Sequence, residues 1–347
     1  MKISSIKHSV ITLFILTFAL TANAQGVPSS IQGISLTLST VNPTPGQTLT
    51  VTAESYVTDL NASNITWKLN GSVFQSGPGI TSIEVQAPAL GKQLTVSVSA
   101  TTPEGRTLAT SININSGKID LILENDGYVP PFFKGKIPLS YQNNYRIIAF
   151  PHLANSSGVE YDPKTLVYTW SKDSSVIQDQ GGYGKQVFSW KDDIIPRQRM
   201  IDVKVSTRDG SAQAEKVIAV QAGSPSITFY PNDPLYGPLY NNAVGDSTGL
   251  GKGGELSVLA VPYGFNAPLK KLTYIWMINS NEQQDLSSSQ SITLRSPANT
   301  SGSSAIQLQI NNTDDFLQTA SNAFTAIFGG TGNQTQTADP LNNYNGL

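Results

Sequence analysis

The chain has 347 residues and no cysteine, and only 13% of its residues are charged. Its formal net charge of −2 offers no basic excess for a nucleic-acid or anionic-membrane partner. The lack of cysteine excludes disulfides, thiol nucleophiles and thiolate-ligated zinc, so each domain has to be stable through core burial alone. The surface is rich in Thr, Ser, Asn and Gln instead of charges, as in many extracellular β-proteins.

The first 24 residues have the pattern of a secretory signal peptide. Lys2 and Lys7 precede an apolar run over residues 10–22, and Ala22-Asn23-Ala24 supplies a small-residue cleavage site. The run is shorter than the ~20 apolar residues of a membrane-spanning helix, so we predict cleavage after Ala24. Without the leader, 20 basic and 24 acidic residues remain, a net charge of −4. We expect an exported protein, extracellular, at the cell surface or periplasmic, whose mature form does not insert into a membrane.

Three tryptophans recur at nearly constant spacing. Trp67, Trp170 and Trp276 are 103 and 106 residues apart, and each lies in a short apolar run. A β-rich run precedes each tryptophan, and an alternating apolar-polar run follows it, at residues 94–99, 201–206 and 306–311. The repeat predicts an all-β chain of three tandem immunoglobulin-like β-sandwich domains. A tryptophan in such a strand fills the space between the sheets, so we predict three core anchors, not exposed platforms for carbohydrate.

Composition sets the domain boundaries. The short linkers at Ser116-Gly117 and at residues 222–225 predict domains at 25–117, 118–223 and 224–330, after the signal peptide at 1–24. Residues 331–347 are rich in Gly, Asn, Gln and Thr and predict a disordered tail. The second and third domains match each other most closely, since Asn125-Asp126 corresponds to Asn232-Asp233 at an offset of 107 residues.

Three short motifs carry a resemblance to a known family. Residues 43–47 read Pro-Thr-Pro-Gly-Gln before a strand. Trp67 and Asn70-Gly71 are separated by two residues, and a Val-x-Val strand precedes residues 102–105, Thr-Pro-Glu-Gly. The first domain thereby resembles the PKD-type and related bacterial immunoglobulin-like domains of exported surface proteins. The other two domains share the tryptophan and the closing strand but lack the Asn-Gly pair. The resemblance implies the sandwich fold and a role as a spacer, adhesion module or binding module.

The residues that could carry catalysis do not form a known constellation. His152 is the single histidine of the mature chain, and no Gly-x-Ser-x-Gly elbow accompanies it, so we expect no enzyme. Asp192-Asp193 and Asp314-Asp315 are adjacent, and neighbours on an extended chain point to opposite sides. We therefore interpret both pairs as solvating loop or turn residues and not as a glycosidase pair.

Phosphate and metal sites find equally little support. The glycine-rich residues 181–184 and 249–254 lack the spacing of a P-loop and predict loops. Calcium is the one cofactor left open, through the recurring pairs Asn125-Asp126 and Asn232-Asp233. Since no Asp-x-Asp-x-Asp loop is present, we favour an Asx-turn at each pair and expect no cofactor.

Two segments rich in aromatic residues and proline are the candidate interaction patch. They span residues 128–133 and 230–240, and proline holds them extended. The candidate residues are Tyr128, Phe132, Phe133, Tyr236 and Tyr240. If exposed, these rings would bind a glycan or a partner protein. The alternative is packing between domains, which their position just after a linker favours.

These features predict an exported, non-enzymatic protein of the cell envelope or the extracellular space. It would act as a structural spacer or adhesion-type interaction module with a protein or glycan partner at the cell surface, and a surface filament or pilus is one setting. The alternative is a carbohydrate- or peptide-binding protein that uses the aromatic segments. An enzyme with an unrecognised site is a third reading, which would require a deep pocket that places a carboxylate beside His152.

Replacement of Trp170 by alanine is expected to cost about 3–5 kcal/mol of unfolding free energy in its domain, because removal of a buried aromatic side chain leaves a cavity. Urea unfolding followed by circular dichroism measures the loss. A nearly neutral substitution would mean that Trp170 is exposed, and the platform for carbohydrate would then be favoured.

Overall fold

A computed structural model describes residues 33–131, 133–250, 254–296 and 300–329. The predicted signal peptide and tail lie outside these ranges, and so does Phe132. In the described ranges the chain forms 24 strands in six sheets, which confirms the predicted all-β sandwich class. No helix in these ranges has the length and apolar character needed to cross a membrane.

The chain divides into two compact units. The smaller comprises the described part of Met1–Thr37 together with Thr52–Ser82 and Ser97–Ile112. The larger comprises Leu38–Val51, Ile83–Val96 and the described part of Asn113–Leu347. The first sandwich contributes residues to both units, and the second and third sandwiches belong entirely to the larger one.

The first sandwich has a three-stranded and a four-stranded sheet. Its strands are β1 (Ser35–Leu38), β2 (Thr48–Glu54), β3 (Asn64–Leu69), β4 (Ser72–Pro78), β5 (Ser82–Gln86), β6 (Gln93–Thr101) and β7 (Thr107–Asn115). The sheets have the orders β1-β2-β5 and β4-β3-β6-β7. Leu49, Val51 and Ala53 of β2 are buried, and the residues between them are exposed or half-buried. This alternation is the reason why the segment forms a strand with one face in the core.

The second sandwich repeats this plan. Its strands are β8 (Lys118–Asn125), β9 (Asn144–His152), β10 (Val167–Lys172), β11 (Ser175–Val176), β12 (Gly182–Tyr183), β13 (Val187–Lys191), β14 (Arg199–Ser206) and β15 (Gln213–Val220). One sheet has the order β13-β9-β8, and the other has the order β11-β10-β14-β15 with β12 also paired to β10. Short 3-10 turns at Pro163–Thr165 and Gln178–Gln180 flank the tryptophan strand β10.

The third sandwich has the same 3-10 turns, at Leu269–Lys271 and Gln284–Leu286, and two strands without a counterpart in the second. Its strands are β16 (Ser226–Asp233), β17 (Gly237–Pro238), β18 (Ser247–Gly249), β19 (Glu255–Tyr263), β20 (Leu272–Ile278), β21 (Asn281–Glu282), β22 (Ser291–Arg295), β23 (Gly302–Asn312) and β24 (Thr319–Phe328). The sheet orders are β17-β16-β19-β22 and β18-β24-β23-β20-β21, in which β18 runs parallel to β24. The extra parallel strand covers the outer edge of β24.

Part of each glycine-rich segment belongs to a strand where we expected a loop. Gly182–Tyr183 forms β12, and Gly249 is the last residue of β18. The flanking strands β10 and β24 supply hydrogen-bond partners for these short segments, so non-local pairing overrides their weak local preference for strand.

Each predicted anchor tryptophan lies fully buried and makes the same polar contact. Trp67, Trp170 and Trp276 are 0% exposed. Their indole N–H groups donate to the carbonyls of Ile80, Lys185 and Ser289, at 2.7, 2.9 and 2.9 Å. A buried indole N–H without a partner would be destabilising, so each tryptophan both fills the core and holds a loop carbonyl in place.

A fourth tryptophan was not part of the predicted repeat. Trp190 in β13 is only 8% exposed, so the second sandwich contains two buried tryptophans instead of one. Its ring stacks on Tyr145 at 5.1 Å and on Phe188 at 5.4 Å, and Phe188 stacks on Trp170 at 5.4 Å. This row of rings lies in the same core as the buried aliphatic residues Ile147, Ile201 and Val203. Its signal in the sequence is the alternation of Phe188 and Trp190 in one strand.

The turn after each anchor tryptophan is the same in all three sandwiches. Asn70-Gly71, Asp173-Ser174 and Asn279-Ser280 each place two consecutive residues at positive φ, between 48° and 85°. Such a pair is the type I′ geometry of a tight hairpin, for which Asn-Gly is the preferred sequence. The second and third sandwiches therefore build the same turn with serine in the glycine position, at φ of 67° and 68°.

Replacement of Ser174 by glycine is expected to raise the unfolding free energy by about 0.5–1 kcal/mol. Serine in the left-handed region carries a steric penalty of ~1–2 kcal/mol that glycine avoids, and part of the gain is lost to the greater freedom of glycine in the unfolded chain. Chemical denaturation of the two proteins measures the difference. The matched control is Ser175→Gly in β11, where glycine should be neutral or destabilising; equal stabilisation by both substitutions would contradict this account of the turn.

Candidate functional site

Aromatic side chains of the second and third sandwiches gather on one surface. Tyr230 of β16 and Tyr263 of β19 share a hydrogen bond, with their hydroxyl oxygens 2.9 Å apart. The ring of Tyr240 meets Tyr230 edge-on at 5.3 Å, and the ring of Phe133 lies 5.6 Å from Tyr263. Tyr128 packs against the same group. We call these five residues the aromatic surface.

The aromatic surface has a buried base and an exposed rim. Tyr230 and Tyr263 are each 9% exposed, whereas Phe133 is 38% and Tyr240 is 45% exposed. Burial, and then the hydrogen bond with Tyr230, raise the pKa of Tyr263, so the hydroxyl of Tyr263 stays uncharged at neutral pH. A neutral, rigid base beneath half-exposed rings is the kind of surface that protein partners and sugars use.

The structure brings together only some of the predicted patch residues. Tyr128, Phe133 and Tyr240 belong to the aromatic surface, while Phe132 lies outside the described residues. Tyr236 lies on the hairpin between β16 and β17 and is 56% exposed. Leu235 beside it, which the sequence did not single out, is 80% exposed. The segment 230–240 thus supplies both the packed ring of Tyr240 and an exposed apolar tip at Leu235 and Tyr236.

Backbone hydrogen bonds fasten the segment from the second domain onto the third. The N–H of Tyr128 donates to the carbonyl of Phe265 at 2.6 Å, and the N–H of Gly264 donates to the carbonyl of Tyr128 at 2.8 Å. The two chains approach so closely that a Cβ on Gly127 would lie 2.9 Å from the Cα of Gly264. Gly264 itself adopts a φ of +84°, which favours glycine. Glycine is therefore required on both sides of this contact.

A buried network of amides lies beside this contact. Gln318 is 0% exposed, and its side-chain nitrogen donates to the carbonyl of Tyr141 at 2.8 Å and to Oδ1 of Asn143 at 2.6 Å. Its side-chain oxygen accepts from the backbone N–H of Asn266 at 3.1 Å and from Asn312 at 2.9 Å. Both donors and both acceptor positions of this amide are thus used, which is the condition for burying it without a penalty.

Gln142 and Asp315 extend the network to the edge of the interface. The side chain of Gln142 donates to Asp315 at 3.2 Å and accepts from the backbone N–H of Leu317 at 2.7 Å. Asp315 also accepts from Asn266 at 3.0 Å and forms a 2.8 Å ion pair with Lys191 of the second sandwich. These bonds tie the two sandwiches together through groups that carry little net charge.

The adjacent aspartate pairs are only partly the solvating residues that we expected. Asp193 and Asp314 are exposed, but Asp192 and Asp315 are buried, at 5% and 6% exposure. Asp192 and Asp193 also do not point apart, since both contact Arg199. Asp192 accepts from Arg199, which is 2% exposed and also contacts Asp173 and Asp193. Burial alone would lower the pKa of Arg199, and the three carboxylates raise it. Asp192 is therefore one of three carboxylates that pair with the buried Arg199.

Both recurring Asn-Asp pairs form Asx-turns. The structural alignment of the two sandwiches differs by one residue from the sequence match between the pairs. Ile119 of β8 and Ile227 of β16 occupy the same place in their sheets, opposite Pro151 and Pro262, which gives an offset of 108 instead of 107. Asn125 is therefore equivalent to Asp233. The Oδ1 atom of Asn125 accepts from the N–H two residues later at 2.8 Å, and so does that of Asp233. Within the described ranges, no three acidic or histidine side chains gather into a group that could hold a metal ion.

His152 lies on the outer face of β9, half-buried. Its ring nitrogens are 3.3 Å from Asp120 and 3.4 Å from Glu160. In the sheets it is opposite Lys118, just as Tyr263 is opposite Ser226, so the two rings occupy equivalent positions.

A groove of about 520 Å³ lies at one end of the sheet β13-β9-β8. Its charged walls are already paired, since Arg146 donates to Glu124 at 3.0 Å and the N–H of Asn144 donates to Asp126 at 2.9 Å. These two pairs engage the carboxylates of Glu124 and Asp126 within the groove.

Sequence reasoning missed the amides of the interface and the buried Arg199. Their signal in the sequence is faint: Gln142-Asn143-Asn144 precedes β9, and Asn312 and Gln318 bracket a turn. In a chain this rich in Asn and Gln, nothing local distinguishes a buried amide from an exposed one.

Comparison with known proteins finds tandem arrays but no family. No family model matches the sequence, and no curated protein matches it either. The structural neighbours are tandem fibronectin(III)- or immunoglobulin-like domain proteins, some of them surface or capsid proteins. The fibronectin(III)-like modules of Clostridium thermocellum CbhA match with 13% identity over 54% of this chain and 94% of that chain, at a TM-score of 0.26. Three N-terminal domains of the bacteriophage RB49 Highly Immunogenic Outer Capsid protein match with 11% identity over 86% and 99%, at a TM-score of 0.25.

A third match is the central fibronectin-III array of RIM-binding protein, with 9% identity over 86% of this chain and 96% of that chain, at a TM-score of 0.29. All of these TM-scores are low, so the fold of this chain is established by its own strand orders and pairings.

Replacement of Gln318 by alanine is expected to lower the unfolding free energy by about 1–3 kcal/mol, because it removes the hydrogen-bond donor to Oδ1 of Asn143 and the acceptor for the backbone N–H of Asn266. We expect the second and third sandwiches to unfold in one calorimetric transition in the wild type and to separate in the variant. The matched control is Gln307→Ala, an exposed glutamine of β23, which should change stability by no more than about 0.5 kcal/mol. Equal effects of the two substitutions would show that the network does not couple the sandwiches.

Proposed function

We propose that this chain is an exported, non-enzymatic protein of the cell envelope or the extracellular space, and that it serves as a structural and adhesion-type interaction module. Its domains are proposed to be of the PKD-type and related bacterial immunoglobulin-like group. Three tandem sandwiches, a leader-like N-terminal sequence and a surface of neutral polar residues support this function. A surface filament or pilus is a setting in which such a spacer with a lateral binding surface would act.

The observation that carries the proposal is the aromatic surface. Its exposed rings, Phe133 and Tyr240, rest on the buried pair Tyr230–Tyr263, and hydrogen bonds from both sandwiches hold the backbone beneath them. Rigid tyrosine rings lose little conformational entropy on binding, which is why they dominate many protein interfaces. Tyr236 and Leu235 extend the same surface toward solvent with 56% and 80% exposure.

The alternative partner is a glycan or a peptide. Sugars stack on aromatic faces and exchange hydrogen bonds with neutral polar groups, and this surface offers both kinds of contact. The proposal favours a protein, because Leu235 and Phe133 add apolar area without hydrogen-bonding groups for sugar hydroxyls.

The decisive experiment compares partner capture by the mature wild-type protein with capture by Tyr236→Ser/Tyr240→Ser. We expect a specific protein of the native envelope to co-purify with the wild type and to be depleted at least tenfold with the variant, since the substitutions remove two exposed rings. The matched control is Tyr56→Ser/Tyr183→Ser, which removes tyrosines that are 95% and 62% exposed elsewhere.

Three other outcomes would change the conclusion. Binding to a glycan array that is lost with Tyr236→Ser/Tyr240→Ser would transfer the function to the glycan alternative. Equal depletion by the control pair would mean that the aromatic surface has no special role. Turnover of a substrate that depends on His152 would overturn the non-enzymatic function.

A further inference from the structure

The hairpin after the anchor tryptophan differs between the first sandwich and its two relatives. The returning strand β4 has seven residues, whereas its counterparts β11 and β21 have two each. In the order β4-β3-β6-β7, β4 stands at the end, and β3 is its single partner among the described strands. Every residue of β4 except Gly77 is exposed. At this hairpin, and within the described residues, the first sandwich therefore presents a longer free strand edge than the other two do.

This edge carries almost none of the features that keep strand edges from pairing with other chains. Its sequence is Ser-Val-Phe-Gln-Ser-Gly-Pro, without a charged residue, and Val73 and Phe74 are 63% and 50% exposed. Natural edges are usually short, charged or covered. The edge of β24 is covered by β18, and β21 includes the charged residue Glu282. β4 retains two protective features, a β-bulge at Phe74 and the terminal Pro78, which has no N–H to donate. Together they limit the regular stretch to residues 75–77.

We propose that β4 is an interaction surface for a second copy of this chain, joined antiparallel edge to edge. A neutral strand is complementary to itself, because antiparallel pairing with its own copy brings no like charges together. When the pairing centres on Ser76, Gln75 lies opposite Gly77 and Phe74 lies opposite Pro78 of the copy. Main-chain hydrogen bonds would form along residues 75–77, and the exposed Phe74 ring would lose solvent against proline.

The contact is small, and this sets its strength. A short strand pair with one aromatic contact buries less than the ~1,200 Å² of a standard interface, so the dimer is weak in solution. Many copies held on one surface raise the effective concentration, and the same contact then links neighbouring molecules. This self-association is independent of the aromatic surface, which lies in the second and third sandwiches.

The test is sedimentation equilibrium of the mature protein from about 1 to 500 µM, a range chosen because weak interfaces of this size associate in it. We expect a monomer–dimer equilibrium in the wild type and at least a tenfold higher dissociation constant in Val73→Lys/Phe74→Lys. The matched control is Ser175→Lys/Val176→Lys, which makes the same change in the equivalent strand β11, where Val176 is 55% exposed. The control is expected to dimerise like the wild type.

Hydrogen exchange shows whether the variant acts at the strand. Amides of residues 75–77 should become protected as the wild-type concentration rises, and circular dichroism should show that the lysine variant remains folded. A wild type that is monomeric throughout the range overturns the proposal, and so does a dimer that persists in the lysine variant. Protection that appears only when envelope extract is added would identify another protein as the occupant and would also overturn it.

Discussion

Each sandwich depends on a tryptophan that closes the space between its sheets without a disulfide. The indole ring is fully buried, and its N–H is satisfied by a carbonyl that lies 13 to 15 residues further along the chain. Burial supplies the stabilisation, and the hydrogen bond determines where the loop after the hairpin has to lie. Because the chain has no cysteine, no covalent link can take over either role.

The hairpin after the tryptophan strand has the same backbone geometry in all three sandwiches, although its sequence differs. Asn-Gly follows the tryptophan strand in the first sandwich, whereas Asp-Ser and Asn-Ser follow it in the other two, and all three pairs adopt left-handed backbone conformations. Tyr168 and Tyr274, two residues before their tryptophans, each donate a hydroxyl hydrogen bond to a carbonyl five residues earlier. The hairpin thus tolerates a strained serine because the strands on either side of it are held by the core.

The second and third sandwiches are joined by a different kind of interaction. Gln318 and the amides around it are buried, but each of their polar atoms has a partner across or within the interface. Such a network gives less stability than an apolar contact, and it specifies one arrangement, since any other leaves buried groups unsatisfied. The network also fixes the arrangement of the aromatic surface, because Tyr128 and Phe133 come from one sandwich and Tyr230 and Tyr263 from the other.

The sequence determined the features that local pattern and burial control. Period-two alternation identified the strands. The regularly spaced tryptophans marked three sandwiches, because a large apolar ring in an alternating strand is most stable when it is buried in the core. It also placed the aromatic segments close to domain junctions. What it predicted for Asp192 and Asp315 was incomplete, since their partners Arg199 and Gln142 lie elsewhere along the chain.

Only the tertiary structure decided which polar residues are buried and which aromatic rings share a surface. The sequence around an Asn or Gln is the same whether its amide faces water or Gln318. A short Gly-Tyr or Ser-Thr-Gly segment becomes a strand only when a neighbouring strand supplies hydrogen-bond partners. The one-residue slip between Asn125 and Asp233 has the same origin, because register is set by cross-strand pairing. Apolar periodicity is a property of the segment itself; hydrogen-bond satisfaction belongs to the folded whole.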